Sequence, residues 1–267
     1  MTQISILGCG WLGLPLAKAM IENGFSVKGS TTSESKLAIL DKFGIHSFLI
    51  ALSEDKPIGD VANFLKNSSI LIIDIPPKLR GSEKENFVSK IKNVIPYVEK
   101  STIENVLFVS STSVYGETNA TITEETVPKP DTESGKQLLE VESLLQSNSN
   151  FKTTVLRFGG LIGEDRNPTK FMAGKVNIEN PETPINFIHQ EDCIGIILKI
   201  ISSDSWNEIY NGVSPFHPTR EAYYTQKATE LSLVLPKFDH SKPSTKKFVL
   251  SNKVETVLGY DFIKTNL

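Results

Sequence analysis

TQISILGCGWLGLPLAKAMIENG, residues 2–24, is the stretch whose reading decides the fold. Thr2–Leu7 is an apolar run that fits a buried strand. Gly8, Gly10 and Gly13 follow with the spacing G-x-G-x-x-G, and LPLAKAMIEN then runs as a helical pattern stopped by Gly24. Strand, glycine turn and helix in this order form the context in which the motif holds a dinucleotide. Gly8 permits the sharp turn out of the strand. Gly10 lacks the Cβ that would keep the backbone away from a pyrophosphate, and Gly13 lets the helix pack closely on the sheet. The free amides at Trp11 and Leu12 and the positive end of the helix dipole then face the anion. The alternative is a glycine-rich turn of an α/β fold that binds nothing.

Working outward, the alternation of strands and helices continues. Phe25–Lys28 reads as a second strand, leading into a hydroxyl-rich loop, Gly29–Ser33, with Lys36 beyond. An Asp or Glu at this strand end would take the ribose hydroxyls of NAD; none is present. The hydroxyls of Ser30, Thr31 and Thr32 and one cation suit a 2′-phosphate better, so the loop predicts NADP, with NAD the alternative. Ser33 also reads as the N-cap of a helix over SESKLAILDKFG. Ile45–Leu52 is a third strand and GDVANFLKN a short helix. Residues 68–77, SSILIIDIPP, form a fourth strand, apolar on both faces as parallel sheets require. Pro76 and Pro77 end it, and the backbone of Ile75–Pro77 should border the cofactor, because ligands lie beyond the carboxyl ends of such strands. Glu83–Lys100 is a helix and Asn105–Ser110 a fifth strand. The expected fold class is therefore α/β, a Rossmann-type doubly wound parallel sheet.

SSTSVYGE, residues 110–117, leaves the fifth strand where chemistry should sit. Thr132–Ser147 is a helix with Leu138, Val141, Leu144 and Leu145 as its apolar stripe and Lys136 and Glu140 as an i,i+4 pair. Thr153–Arg157 is a sixth strand ending in FGGLIG. Residues 165–184 then loosen into an excursion over the site. A helix over about Gln190–Ser202, a strand in IYNGVSP and a helix capped by Thr219 follow. The expected organisation is a core over residues 1–163, rejoined by about 186–203, with most of 164–267 forming a smaller C-terminal lobe.

Composition sets outer bounds. The 267 residues are 39% hydrophobic with net charge −3, which suffices for a sizeable core and implies no polyanion partner. No apolar run is long enough to span a bilayer and no signal peptide is legible, so the expectation is a cytoplasmic protein acting on a small-molecule substrate, without nucleic acid or membrane; a homodimer stays open. Cys9 and Cys193 give neither a disulfide framework nor a zinc pattern, and the histidines are scattered, so no metal is expected.

With these pieces in place the chain resembles the extended short-chain dehydrogenase/reductases, the NAD(P)-dependent epimerase/dehydratases, and among them the shorter members whose turn reads G-C-G-W-L-G-x-P-L-A, found here at 8–17. The other markers are S-S-x-S-V-Y-G at 110–116, K-x-x-x-E at 136–140, L-R-F-G-G-x-x-G at 156–163 and F-I-H-x-x-D at 187–192. The resemblance implies a carbonyl or sugar-derived substrate, with Ser111 orienting it and Lys136 holding the nicotinamide ribose. The family's tyrosine belongs four residues before the lysine, where this chain has Thr132. An aliphatic hydroxyl is several pK units less acidic than the phenol of Tyr, about 10, and cannot replace it as general acid. Tyr115 is the candidate substitute. A non-catalytic nucleotide-binding sensor is the alternative function. Asp192 reads as a helix-start residue, His189 as a loop residue, and Arg166 and Arg220 as arginines available to an anionic substrate.

Overall fold

The computed structural model describes residues 2–77 and 85–267. In chain order the strands and helices begin with β1 (Gln3–Leu7), α1 (Gly13–Glu22), β2 (Ser26–Thr31), α2 (Leu37–Lys42), β3 (His46–Leu49), α3 (Val61–Leu65), β4 (Ile70–Ile73) and α4 (Phe87–Glu99). They continue with β5 (Asn105–Ser111), β6 (Thr121–Ile122), α5 (Glu133–Gln146), β7 (Lys152–Phe158), β8 (Gly160–Ile162) and α6 (Thr169–Met172). The last are β9 (Phe187–His189), α7 (Gln190–Ser202), β10 (Ile209–Gly212), α8 (Arg220–Glu230), β11 (Phe248–Val249) and α9 (Asn252–Thr256).

Seven strands pair in parallel in the order β10-β7-β5-β4-β1-β2-β3. The chain winds outward from β1 to β3, then returns to lay β4 on the other side of β1. That reversal opens a crevice above the carboxyl ends of β1 and β4. The fold is the expected doubly wound α/β sheet. Its strands feed two separate cores, as period-2 alternation demands. In β4, Ile70 and Ile72 join α1 and α7 through Leu16, Met20, Ile197 and Ile200, whereas Leu71 and Ile73 join α3, α4 and α5 through Phe64, Ile91 and Val141. Two small parallel pairs, β6 with β11 and β8 with β9, lie outside the main sheet. Among the described residues no helix is long and apolar enough to cross a membrane.

Several boundaries differ from the sequence reading, each for a local reason. β2 runs on to Thr31 instead of stopping at Lys28, so Gly29, Ser30 and Thr31 are ladder residues, the last two opposite Phe48 and Leu49. Their hydroxyls are satisfied in place: Ser30 Oγ accepts from the Gly8 amide at 2.9 Å and Thr31 Oγ1 from the Ser33 amide at 3.1 Å. Ser33 makes no side-chain cap, because its hydroxyl pairs with Ser35 at 2.9 Å. β4 stops at Ile73, leaving 74–77 free to border the crevice. The fourth helix starts at Phe87, capped by Asn86 Oδ1 accepting from the Ser89 amide; Glu83 and Lys84, expected in it, lie outside the described residues. Asp192 is more than a helix-start residue. It is fully buried and receives the Tyr260 hydroxyl and the Ile263 and Lys264 amides, fastening the C-terminal segment to α7.

Two buried polar joints hold the layers. In the first, Arg157 of β7 donates from Nε and Nη2 to Glu142 of α5, at 2.6–3.2 Å, and from Nη1 to the Tyr115 oxygen at 2.8 Å. Tyr115 in turn donates to Asn211 Oδ1 of β10, and Ser110 Oγ donates to Glu142. The pair is 3% and 1% exposed, so removing one partner strands a charge in the interior. In the second joint, Asp74 follows β4 directly under the glycine turn. Burial pushes its carboxyl up from 3.8 to about 7, an effect that the Gly13 amide opposes.

Two stability outcomes follow. Glu142→Ala should lower unfolding free energy by about 3–5 kcal/mol, read from denaturant melts; an unchanged midpoint would show that the ion pair does not tie α5 to β7. The folded chain holds a proton on Asp74 that the unfolded chain has released, so this group's contribution is full below about pH 4 and is lost as pH rises to about 7. Asp74→Asn should flatten that decline, and melts at pH 5 and pH 8 that shift alike in both proteins would contradict it.

Candidate functional site

A cavity of about 550 Å³ opens at the crevice above β1 and β4. Its floor is the glycine turn. Gly8 has φ +109°, a left-handed value that side chains disfavour, and a Cβ there would fall 2.3 Å from the Asp74 carbonyl oxygen. A Cβ on Gly13 would fall 2.2 Å from the Gly8 oxygen, so α1 is pressed onto the turn as the spacing predicted. Gly10 differs: a Cβ there would meet no protein atom within 4 Å. Its bare face looks into open space. The amides of Trp11 and Leu12, just ahead of α1, have no acceptor among the described residues, as expected for the first groups of a helix.

From this floor the cavity extends in two directions. Toward β2 and β3 it meets Ser30, Thr31, Thr32 and Lys36. Ser30 and Thr31 each accept from a backbone amide, which leaves their hydroxyl protons, with Thr32 and Lys36, available to an anion at this end. Toward β4 and β5 it meets Ile75, Pro76 and Pro77, then Ser110 and Ser111. Ser111 Oγ accepts from the Ser113 amide at 3.2 Å, which caps the single helical turn Thr112–Tyr115 and leaves its proton available to an acceptor in the cavity.

Two expected chemical residues are placed elsewhere. Tyr115 is 4% exposed, with its hydroxyl held between Arg157 and Asn211, and it does not line the cavity. Burial raises its phenol above the ordinary value, against the pull of Arg157. Lys136 is exposed on the outer face of α5 and also misses the cavity. Its expected partner Glu140 pairs with Lys92 of α4 at 3.2 Å instead. The reason is rotational. Leu138 lines the cavity and Glu142, one turn on, is buried on the same side; Lys136, two residues before Leu138, points about 200° away on a 3.6-residue helix. Thr132 spends its hydroxyl capping α5, accepting from the Gly135 amide at 3.1 Å.

The sequence reading missed Asp74, Lys90 and Leu138 as cavity residues. Asp74 carried a signal, since it is the first polar residue after a strand at the switch point. Lys90 carried none, because only the packing of α4 brings it there. Cys9 also lines the cavity, but burial and the nearby Asp74 push its thiol up to about 12, so it remains a protonated packing residue. His189 caps α7, accepting from the Glu191 amide at 3.3 Å. His240, isolated in sequence, meets Glu182 and Glu221 at the surface, with ligand atoms within 4.8 Å of one another.

No family model matches the chain. Solved structures of similar fold include a conserved protein of unknown function from Silicibacter pomeroyi, with a TM-score of 0.80 and 19% identity over 100% of this chain and 95% of that one. UDP-glucuronic acid 4-epimerase from Bacillus cereus in complex with NAD gives 0.79 and 16% over 97% and 91%. A short-chain dehydrogenase/reductase superfamily protein from Agrobacterium tumefaciens with bound NAD gives 0.78 and 15% over 97% and 92%. Identities this low establish the shared fold. Protein YeeZ of Escherichia coli, in two strains, is 32% identical over 264 residues, 98% of this chain and 96% of its own length. The chain, a Rossmann-type α/β protein matched from end to end, belongs to the family of protein YeeZ.

Proposed function

We propose that the protein binds a nicotinamide dinucleotide along this cavity and uses it on a carbonyl or sugar-derived small molecule, as an oxidoreductase of the epimerase/dehydratase type. The observation that carries the reading is the bare face of Gly10 beside the unpartnered Trp11 and Leu12 amides, a place with room for a phosphate and donors for it. The elongated cavity suits a ligand with a sugar at each end. Thr32 and Lys36 hold the 2′-phosphate of NADP, which keeps NADP ahead of NAD. Ile75–Pro77 and Leu138 border the nicotinamide, and Ser111 donates to the substrate oxygen. When bound, the nicotinamide supplies hydride exchange. The NAD-containing solved structures of the same fold support the cofactor class.

A second reading, a nucleotide-binding sensor, is favoured by Leu138. It puts a hydrocarbon on the cavity-facing side of α5, while Tyr115 is committed to the Arg157 joint and Lys136 faces outward.

Calorimetric titration of the full chain should show NADPH tighter than NADH, and Lys36→Ala should erase most of the difference. Heat from neither cofactor would end the proposal. With carbonyl substrates the reduced-nicotinamide absorbance should fall, and at least tenfold more slowly in Ser111→Ala. Sugar nucleotides need chromatography, since an epimerase regenerates its cofactor. Tight binding with no turnover of either class would select the sensor.

A further inference from the structure

After β8 the chain makes a tight turn in which Gly163 and Arg166 exchange both backbone hydrogen bonds, at 3.2 and 3.0 Å, with Glu164 and Asp165 at the tip. This turn is fastened to Trp11, a residue inside the glycine motif. Asp165 Oδ1 accepts from the indole Nε1 at 2.7 Å. Gly163 lies so close that a Cβ would come within 2.8 Å of the indole. The Arg166 guanidinium sits over the same ring, 5.0 Å from its centre. From the other side, Gln190 Nε2 donates to the Trp11 carbonyl at 2.7 Å. The indole, fixed by Asp165 and pressed by Gly163, holds Arg166 in the wall of the cavity that Gly10 floors.

Among the described residues, the Arg166 guanidinium has no ion pair. Its donors are unspent. The other cavity cations are differently placed: Lys90 is paired with Glu85, and Lys36 lies toward β2 and β3. A planar guanidinium stacked on an aromatic face loses little freedom on binding and matches two phosphate oxygens at once.

We infer that Arg166 is a latch for the diphosphate of the dinucleotide, closing over it from the side opposite the Trp11 and Leu12 amides. The inference rests on the dinucleotide reading above and adds to it the residue that completes the phosphate site. The Trp11–Asp165 bond makes the latch part of the glycine motif, joining residues 154 positions apart in sequence.

The test compares the full-length wild type with Arg166→Gln, Arg166→Lys and Asp165→Ala, titrated by calorimetry with NADPH and with 2′-phospho-ADP-ribose, which has the diphosphate but no nicotinamide. Arg166 is exposed, so the thermal melts of its two variants should superimpose on that of the wild type. Arg166→Gln should weaken both ligands by the same factor, about tenfold or more, and should flatten the salt dependence of binding. Arg166→Lys and Asp165→Ala, which keep the positive charge but loosen its placement, should lose less. If the wild type binds and Arg166→Gln binds as tightly, the latch is wrong while the dinucleotide reading stands. If only the KM for substrate rises, Arg166 serves a substrate anion and the latch is equally wrong. If the wild type binds neither ligand, both readings fall.

Discussion

The structure around the cavity depends on the close approach of α1 to the turn that precedes it. Gly13 sits where any side chain would collide with the Gly8 carbonyl, and Gly8 where any side chain would collide with the carbonyl after β4. Main chain therefore rests on main chain at the one place where the sheet reverses its winding direction. A bulkier residue would lift α1, and with it the apolar face of Leu16 and Met20, off β1 and β4. Gly10, between Gly8 and Gly13 in the turn, faces open space. Gly8 and Gly13 are bare because the packing leaves no room for a Cβ, whereas the bareness of Gly10 is not demanded by any protein contact and leaves room for a ligand.

The second organising interaction works against chemistry that the motifs suggested. The buried Arg157–Glu142 pair lies on the same inward face of α5 as Leu138, Val141 and Leu145. Desolvating two charges is costly unless every donor is met, and here Tyr115, Asn211 and Ser110 complete the network. Once Glu142 points inward, Leu138 faces the cavity and Lys136 faces water. A tyrosine in the loop after β5 is consumed as a structural partner. The cavity keeps serine hydroxyls, Asp74 and three cations as its polar equipment among the described residues.

Legibility varied with how local the determining physics was. Alternating apolar runs, the helix caps at Thr132 and Thr219 and the glycine spacing depend on neighbours in sequence, and the sheet, α5 and α8 came out close to their expected bounds. β2 was read three residues short because Ser30 and Thr31 look like loop residues until their hydroxyls are seen satisfied by the Gly8 and Ser33 amides. The pairing of Lys136 with Glu140 obeyed helix spacing, but Lys92 on the neighbouring α4 won Glu140. Residues supplied by distant segments, such as Lys90 and the Asp165–Arg166 turn over Trp11, had no local signature.

What the sequence determined by itself was the class of fold and where the candidate cavity opens, since strand, bare turn and helix are specified within 24 residues and their geometry follows from sterics. Tertiary structure alone decided which side chains reach that site. The direction a helix faces is set by the sum of its buried contacts, and on α5 that sum joins the apolar stripe of Leu138, Val141 and Leu145 to an ion pair with Arg157 of β7, a strand that pairs with β5 and not with its neighbours in sequence.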